Sequence, residues 1–133
     1  MPDRQQLVWL YFRLRGRLSR AAYALSMLLL IVIQSFLLYR MVLSLELDPA
    51  TQTWQMGPDA PGTGWAAGFW LFGLASLWPT VALTVKRLHD IGAQGIFAAA
   101  LFIPALNLVA FLVLCLLPGT PGPNRYGPHT DTG

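Results

Sequence analysis

Residues 21–39 read AAYALSMLLLIVIQSFLLY and carry no charge between Arg20 and Arg40. An α-helix needs about 20 mostly apolar residues to cross the roughly 30 Å hydrocarbon core of a bilayer. Two further uncharged stretches follow, Ala60–Val85 and Ile91–Leu117. None of the three has the polar face that a surface helix of a soluble domain requires. The chain is therefore predicted to be a small integral membrane protein.

The composition supports this prediction, because only 11% of the 133 residues are charged and the mean hydropathy is +0.51. Soluble domains carry about 25% charged residues. The net charge is +3, and five basic residues precede the first apolar stretch, namely Arg4, Arg13, Arg15, Arg17 and Arg20. Positive charge beside a spanning helix favours the cytoplasmic side and anionic lipid headgroups. We therefore expect a multi-pass protein with a cytoplasmic N-terminus and no nucleic-acid partner.

The whole chain, residues 1–133, is predicted to be one all-α integral membrane domain. Leucines at helical spacing within residues 5–18 predict an amphipathic helix in the headgroup plane. The first apolar run is too long for the h-region of a signal peptide, so we expect it to be retained. The predicted segments are a basic interfacial segment at 1–20, transmembrane helices at 21–45, 65–89 and 91–117, an outer loop at 46–64, and a Pro/Gly-rich tail at 118–133.

The third apolar stretch allows two structures, because Pro104 divides its 27 residues near the middle. It can form one kinked, tilted spanning helix, or a re-entrant hairpin whose arms of about 13 residues are too short to span. We favour the single kinked helix, since a proline alone does not reverse a chain. The hairpin would instead bring the tail back to the face that carries the other polar segments.

Local signals define the ends of the first two helices. Ser19 is a predicted N-cap for the first, because its hydroxyl can accept from an orphan backbone amide. Pro79 is expected to kink the second helix. Lys86 and Arg87 suit its C-terminal end, where the helix dipole favours cations. Gly92 is placed to end it in a left-handed conformation.

Three polar clusters separate the apolar stretches: Arg15–Arg20 (RGRLSR), Lys86–Asp90 (KRLHD) and Pro118–Pro128 (PGTPGPNRYGP). Together and in this order they resemble the bacterial inner-membrane family known as domain of unknown function 805. The resemblance covers about Phe12 to Pro128, with Lys86 where the family more usually has arginine. It implies a helical protein of the bacterial inner (plasma) membrane and no established activity.

These clusters supply the candidate polar or headgroup site. Arginine suits bidentate contact with phosphate, whereas the same residues can also cap helices and pair with one another. We expect Asp90 to form an ion pair with an arginine of the first cluster or with Arg87. We also expect Asn124–Gly127 to fold back, with Tyr126 packed. The candidate residues are Arg15, Arg17, Ser19, Arg20, Lys86, Arg87, His89, Asp90, Asn124, Arg125 and Tyr126.

Three classes of function stay open. The leading hypothesis is a scaffold or accessory protein that acts through anionic lipid headgroups and a membrane-protein partner or a second copy of itself. The second is a small oligomeric transporter or channel lined by Gln34 and Asn107. The third is an enzyme acting on lipid headgroups through His89 and Asp90. The chain has two histidines and one cysteine, which predicts no metal site or other cofactor.

Overall fold

The computed structural model describes residues 3–45, 50, 53–54 and 62–131. These residues contain no strand, although Asn124 and Gly127 form an isolated antiparallel bridge. The all-α prediction is therefore confirmed for the described part of the chain. Its elements are α1 (Arg4–Phe12), α2 (Arg20–Leu43), α3 (Thr63–Asp90), a 3₁₀ helix (Gly95–Phe102) and α4 (Leu106–Leu116).

Two of these helices, α2 and α3, are long and apolar enough to cross a membrane. They correspond to the transmembrane helices predicted at 21–45 and 65–89. Pro79 lies inside α3, which is assigned as one continuous helix, and the kink expected there stays a prediction. Most of the outer loop predicted at 46–64 lies outside the described residues.

The third apolar stretch forms two short helices, whereas the sequence favours one kinked helix. The 3₁₀ helix and α4 are each about 16 Å long, or about half the thickness of a bilayer core. Ile103 between them is extended (φ −101°, ψ 115°), as expected for a residue that precedes proline. Ala105 then has φ 66°, so neither residue continues a helix. The two short helices pack against each other.

The N-terminal helix is shorter than predicted, because α1 ends at Phe12 and not near residue 18. Arg13 is extended, with φ −93° and ψ 140°. Two side chains of α3 donate hydrogen bonds to carbonyl groups at the end of α1. Lys86 Nζ donates to the Leu10 carbonyl, and Trp78 Nε1 donates to the Phe12 carbonyl at 3.1 Å. The Leu10 carbonyl would otherwise accept from the next turn of the helix.

The described residues fall into two compact units. One contains the residues up to Leu28 together with those from Leu77 onward, and the other lies within Leu29–Ser76. In the second unit, Gln34 Nε2 donates to the Phe69 carbonyl at 3.3 Å, a bond that joins α2 to α3. The prediction that residues 1–133 insert into the bilayer as one membrane domain is not tested by this division and stays a prediction. All the polar clusters belong to the first unit.

Candidate functional site

The end of α3 is fixed by a left-handed glycine, as predicted. Gly92 has φ 79°, and its N–H donates to the His89 carbonyl at 3.1 Å. The Ala93 N–H donates to the Leu88 carbonyl at 2.9 Å. These two bonds form a Schellman motif, which satisfies carbonyl groups that a helix end leaves without partners. Asp90 is therefore held as the last residue of α3.

Asp90 is the anionic centre of the first unit and is only 2% exposed. Its Oδ1 accepts from Arg17 Nε at 3.1 Å and from Thr130 Oγ1 at 2.6 Å. Its Oδ2 accepts from Arg87 Nη1 at 2.6 Å. The expected pairing of Asp90 with an arginine is confirmed, with one partner in the first cluster and one on α3 itself.

Arg17 connects Asp90 to the C-terminal tail. The side chain is 1% exposed, and its remaining N–H groups donate to tail carbonyls. Nη1 donates to Gly122 at 2.6 Å and to Gly127 at 3.3 Å, and Nη2 donates to Thr120 at 2.6 Å. One guanidinium therefore supplies hydrogen bonds to three carbonyl groups of a Pro/Gly-rich segment that has little regular structure of its own.

Arg87 makes the corresponding connection to α4. It is 0% exposed, and its Nε donates to the Leu114 carbonyl at 2.8 Å. Its Nη2 donates to Leu117 and its Nη1 to Leu18 at 3.3 Å. Leu114 and Leu117 lie at the C-terminal end of α4, where carbonyl groups lack helical partners. A cation at this position also complements the helix dipole.

Lys86 performs a similar role for α1. The residue is 0% exposed, and its ammonium group donates to the carbonyl groups of Trp9, at 2.6 Å, and Leu10. The ammonium also lies 4.5 Å from the centre of the Trp9 ring, within the range of a cation–π interaction. The backbone carbonyl of Lys86 accepts from the Leu18 N–H at 3.2 Å. Lys86 therefore holds both ends of the segment that joins α1 to α2.

The tail folds back as predicted and packs on His89. The Tyr126 ring stacks on the His89 imidazole, with centres 3.9 Å apart and planes 8° apart. Asn124 Nδ2 donates to the His89 carbonyl at 2.9 Å, and Asn124 Oδ1 accepts from the Tyr126 N–H at 2.9 Å. Arg125 lies 4.7 Å from the Tyr126 ring centre and donates to the Gly92 carbonyl at 3.4 Å.

The remaining candidates of the first cluster do not join this network through their side chains. Ser19 is the N-cap of α2, since its Oγ accepts from the Ala22 N–H at 3.3 Å, and its own N–H donates to Asp131 at 2.8 Å. Arg15 and Arg20 are exposed. Within the described residues, neither guanidinium has a hydrogen bond or an ion pair. The structure therefore brings together Arg17, Arg87 and Asp90 and leaves Arg15 and Arg20 facing outward.

Three residues outside the predicted candidate set complete the network. Thr130 donates to Asp90, and Asp131 accepts from Ser19 and donates its N–H to the Arg17 carbonyl at 2.9 Å. Gly119 packs so closely on Asp90 that an added Cβ would collide with the carboxylate. The Pro/Gly-rich composition marks this segment as a tail, but no local signal shows that it closes on a side chain 29 positions earlier.

The two oxygens of Asp90 accept three hydrogen bonds within the protein, from Arg17, Arg87 and Thr130. We call these four side chains, together with Lys86, the polar lock. His89 Nδ1 is buried and has no partner among the described residues. Those residues also contain no group of three or more side chains that could hold a metal ion. The polar lock joins α1, α3, α4 and the tail.

A comparison with known protein families matches residues 11–128 to the family described as protein of unknown function DUF805. The chain belongs to this family. The matched region contains all three polar clusters, and with them every residue of the polar lock except Thr130.

Two curated relatives come from Escherichia coli strain K12. The inner membrane protein YhaI is 40% identical over 57 residues, which cover 43% of this chain and 48% of YhaI. The uncharacterized protein YiiR is 37% identical, with 41% of this chain and 55% of YiiR covered. The chain thus spans about half the length of these relatives. No solved structure matches it significantly. The family and the apolar helices indicate a bacterial inner-membrane protein.

Proposed function

We propose that this DUF805 protein is a membrane accessory protein that acts through anionic lipid headgroups and partner helices. One observation supports this proposal: the basic side chains of the first unit fall into a buried set and an exposed set. Arg17, Lys86 and Arg87 are buried and bonded within the protein, so they are occupied by structural contacts. A second set is exposed, and its members are Arg4, Arg13, Arg15, Arg20 and Arg125.

The exposed set suits a membrane surface. Basic residues near an anionic leaflet each contribute about 1 kcal/mol of attraction. The carboxylates in the same unit are Asp3 and Asp131, which are exposed, and the buried Asp90, so positive charge is in excess there. The exposed leucines of α2, such as Leu25 at 68% and Leu28 at 54%, are suited to contact lipid tails or a partner helix.

The topology that accompanies this proposal has two spans, α2 and α3. The 3₁₀ helix and α4 would then form a re-entrant hairpin, so that the tail returns to the face of the N-terminus. The contacts of Arg17 with the tail and of Arg87 with the end of α4 support this arrangement. The arginine-rich N-terminal segment supports placing that face in the cytoplasm.

Neither alternative function has a comparable observation in its favour. An enzyme using His89 and Asp90 needs a carboxylate that can reach the histidine or a substrate, and Asp90 is committed to other groups. A transport path needs accessible polar groups, but Gln34 bonds to the Phe69 carbonyl. Asn107 is exposed on the short helix α4, so it does not call for a water-filled path inside the protein.

The proposal is tested by extracting the full-length protein from bacterial membranes in lipid nanodiscs and measuring the lipids that come with it. We expect a higher ratio of anionic to zwitterionic lipid than in the bulk membrane. Replacing Arg4, Arg13, Arg15 and Arg20 together by glutamine should reduce that ratio to the bulk value. A wild-type ratio equal to that of the bulk membrane would contradict the proposed function.

A further inference from the structure

Two adjoining cavities lie beside α1 in the first unit. The larger has a volume of about 640 Å³ and is flanked by Arg4 and Arg13. The smaller has a volume of about 260 Å³ and is lined mainly by apolar side chains. Gln6, Trp9 and Asp131 line both cavities, so the two form one groove with a polar half and an apolar half.

The polar half carries uncommitted hydrogen-bond donors. Arg4 and Arg13 are exposed, and within the described residues neither guanidinium has an ion pair or a hydrogen bond. Gln6 accepts from the Asp3 N–H through Oε1 at 3.1 Å, which leaves its amide nitrogen able to donate. Guanidinium groups match the geometry of phosphate oxygens. This half of the groove therefore suits a phosphate group.

The apolar half is formed by Leu7 and Leu10 of α1, Leu18, and Ala22 of α2. Leu18 is only 1% exposed, so it forms the floor of this half. A volume of about 260 Å³ holds several methylene groups, and each methylene that leaves water contributes about 0.8 kcal/mol. This half suits the start of an acyl chain, which neither inorganic phosphate nor a free headgroup would supply.

The wall shared by the two halves is already held in place. The Trp9 indole donates to the Arg15 carbonyl at 3.1 Å, and its ring lies against the ammonium of Lys86. Asp131 accepts from the Ser19 N–H at 2.8 Å. Its negative charge keeps a phosphate away from this wall and towards the arginines, while a free lone pair can accept from a headgroup hydroxyl.

We propose that this groove binds one anionic phospholipid, with its phosphate between Arg4 and Arg13 and its first acyl methylenes in the apolar half. The inference deepens the proposed function and rests on it. Basic residues in general are attracted to an anionic membrane, whereas this groove would bind one lipid molecule per protein. Headgroups that carry hydroxyl groups, such as phosphatidylglycerol, fit both Gln6 and Asp131.

The test is native mass spectrometry of the full-length protein in detergent, titrated with phosphatidylglycerol. We compare Arg4→Gln/Arg13→Gln with the matched pair Arg15→Gln/Arg20→Gln, which removes the same charge outside the groove. Hydrogen bonds to charged groups contribute about 1.5–3 kcal/mol each, and about 1.4 kcal/mol is a factor of ten. We expect the groove pair to weaken binding of the first lipid at least about tenfold and the matched pair to change it less than about threefold.

A further variant and ligand separate the two halves of the groove. Ala22→Leu should fill the apolar half and weaken phosphatidylglycerol binding while leaving glycerol phosphate binding unchanged. Equal losses in the two arginine pairs would overturn the site but leave the proposed function standing. Glycerol phosphate binding as tightly as the lipid would overturn the lipid as ligand. If phosphatidylcholine binds as well as phosphatidylglycerol, both the site and the proposed function fail.

Discussion

Asp90 supplies the negative charge for two guanidinium groups that are both almost fully buried, those of Arg17 and Arg87. The pairing of Asp90 with an arginine is predictable from the sequence, because Asp90 follows a cationic helix end and an arginine-rich cluster is expected on the same face. The sequence does not show which arginine of the first cluster turns inward. Arg15, Arg17 and Arg20 look alike in sequence, and their burial depends on where the tail carbonyls lie.

The first prediction concerns the charge of Asp90. Asp90→Asn should destabilise the protein by about 3–5 kcal/mol, because it leaves two buried cations without their counter-charge. The free energy of unfolding in detergent measures this loss. Asp131→Asn makes the same chemical change at an exposed carboxylate and should cost less than about 1 kcal/mol. Equal effects of the two variants would show that the polar lock is not a stabilising centre.

The second prediction concerns the close approach of Gly119 to Asp90. Gly119→Ala should lower the melting temperature, because its Cβ would displace the Asp90 carboxylate from its partners. Gly64→Ala is the matched control, since no atom lies within 4 Å of a Cβ added there. Alanine inside a helix is favoured over glycine by roughly 0.5–1 kcal/mol, so this control should be neutral or stabilising. A neutral Gly119→Ala variant would contradict the packing described for the tail.

Among the secondary-structure elements, α2 and α3 are the ones that hydropathy predicts best. Their apolar runs are long, and the signals at Ser19 and Gly92 define one end of each. The end of α1 and the break in the third apolar stretch were not predictable in the same way. The end of α1 depends on a lysine 76 positions after Leu10. The break depends on the extended backbone of Ile103 and the left-handed backbone of Ala105 on either side of Pro104, and the far end of α4 is held by Arg87.

The prediction for α1 follows from its connection to Lys86. Lys86→Met keeps most of the length of the side chain but removes the ammonium. The Leu10 carbonyl then loses its donor, and the Trp9 carbonyl keeps only the bond from the Arg13 N–H at 3.4 Å. We expect α1 to detach and trypsin to cleave faster after Arg13 and Arg15. Thr84→Val is the control, because Thr84 is equally buried but bonds to Tyr23 on α2. Unchanged cleavage in Lys86→Met would show that other contacts hold α1.

The polar lock brings together three clusters that are far apart in the sequence. Hydropathy predicted an all-α membrane protein, and the order of the clusters identified the family. Hydropathy and the order of the clusters do not distinguish one spanning helix from a hairpin at Ile91–Leu117. The length of this stretch and its central proline are compatible with both structures. Contacts between Arg17 and the tail favour the hairpin, since they place residues 17 and 120–127 within hydrogen-bond distance.

The most direct test of the polar lock is therefore the side of the membrane on which the tail lies. Alkaline phosphatase and green fluorescent protein can be fused in turn after residue 55 and after Asp131 in the full chain. We predict phosphatase activity only at residue 55 and fluorescence only at Asp131, because the proposed topology places the tail and the N-terminal segment together on the cytoplasmic face. Phosphatase activity at Asp131, together with fluorescence from a fusion at the N-terminus, would place Arg17 and the tail on opposite sides and contradict the account.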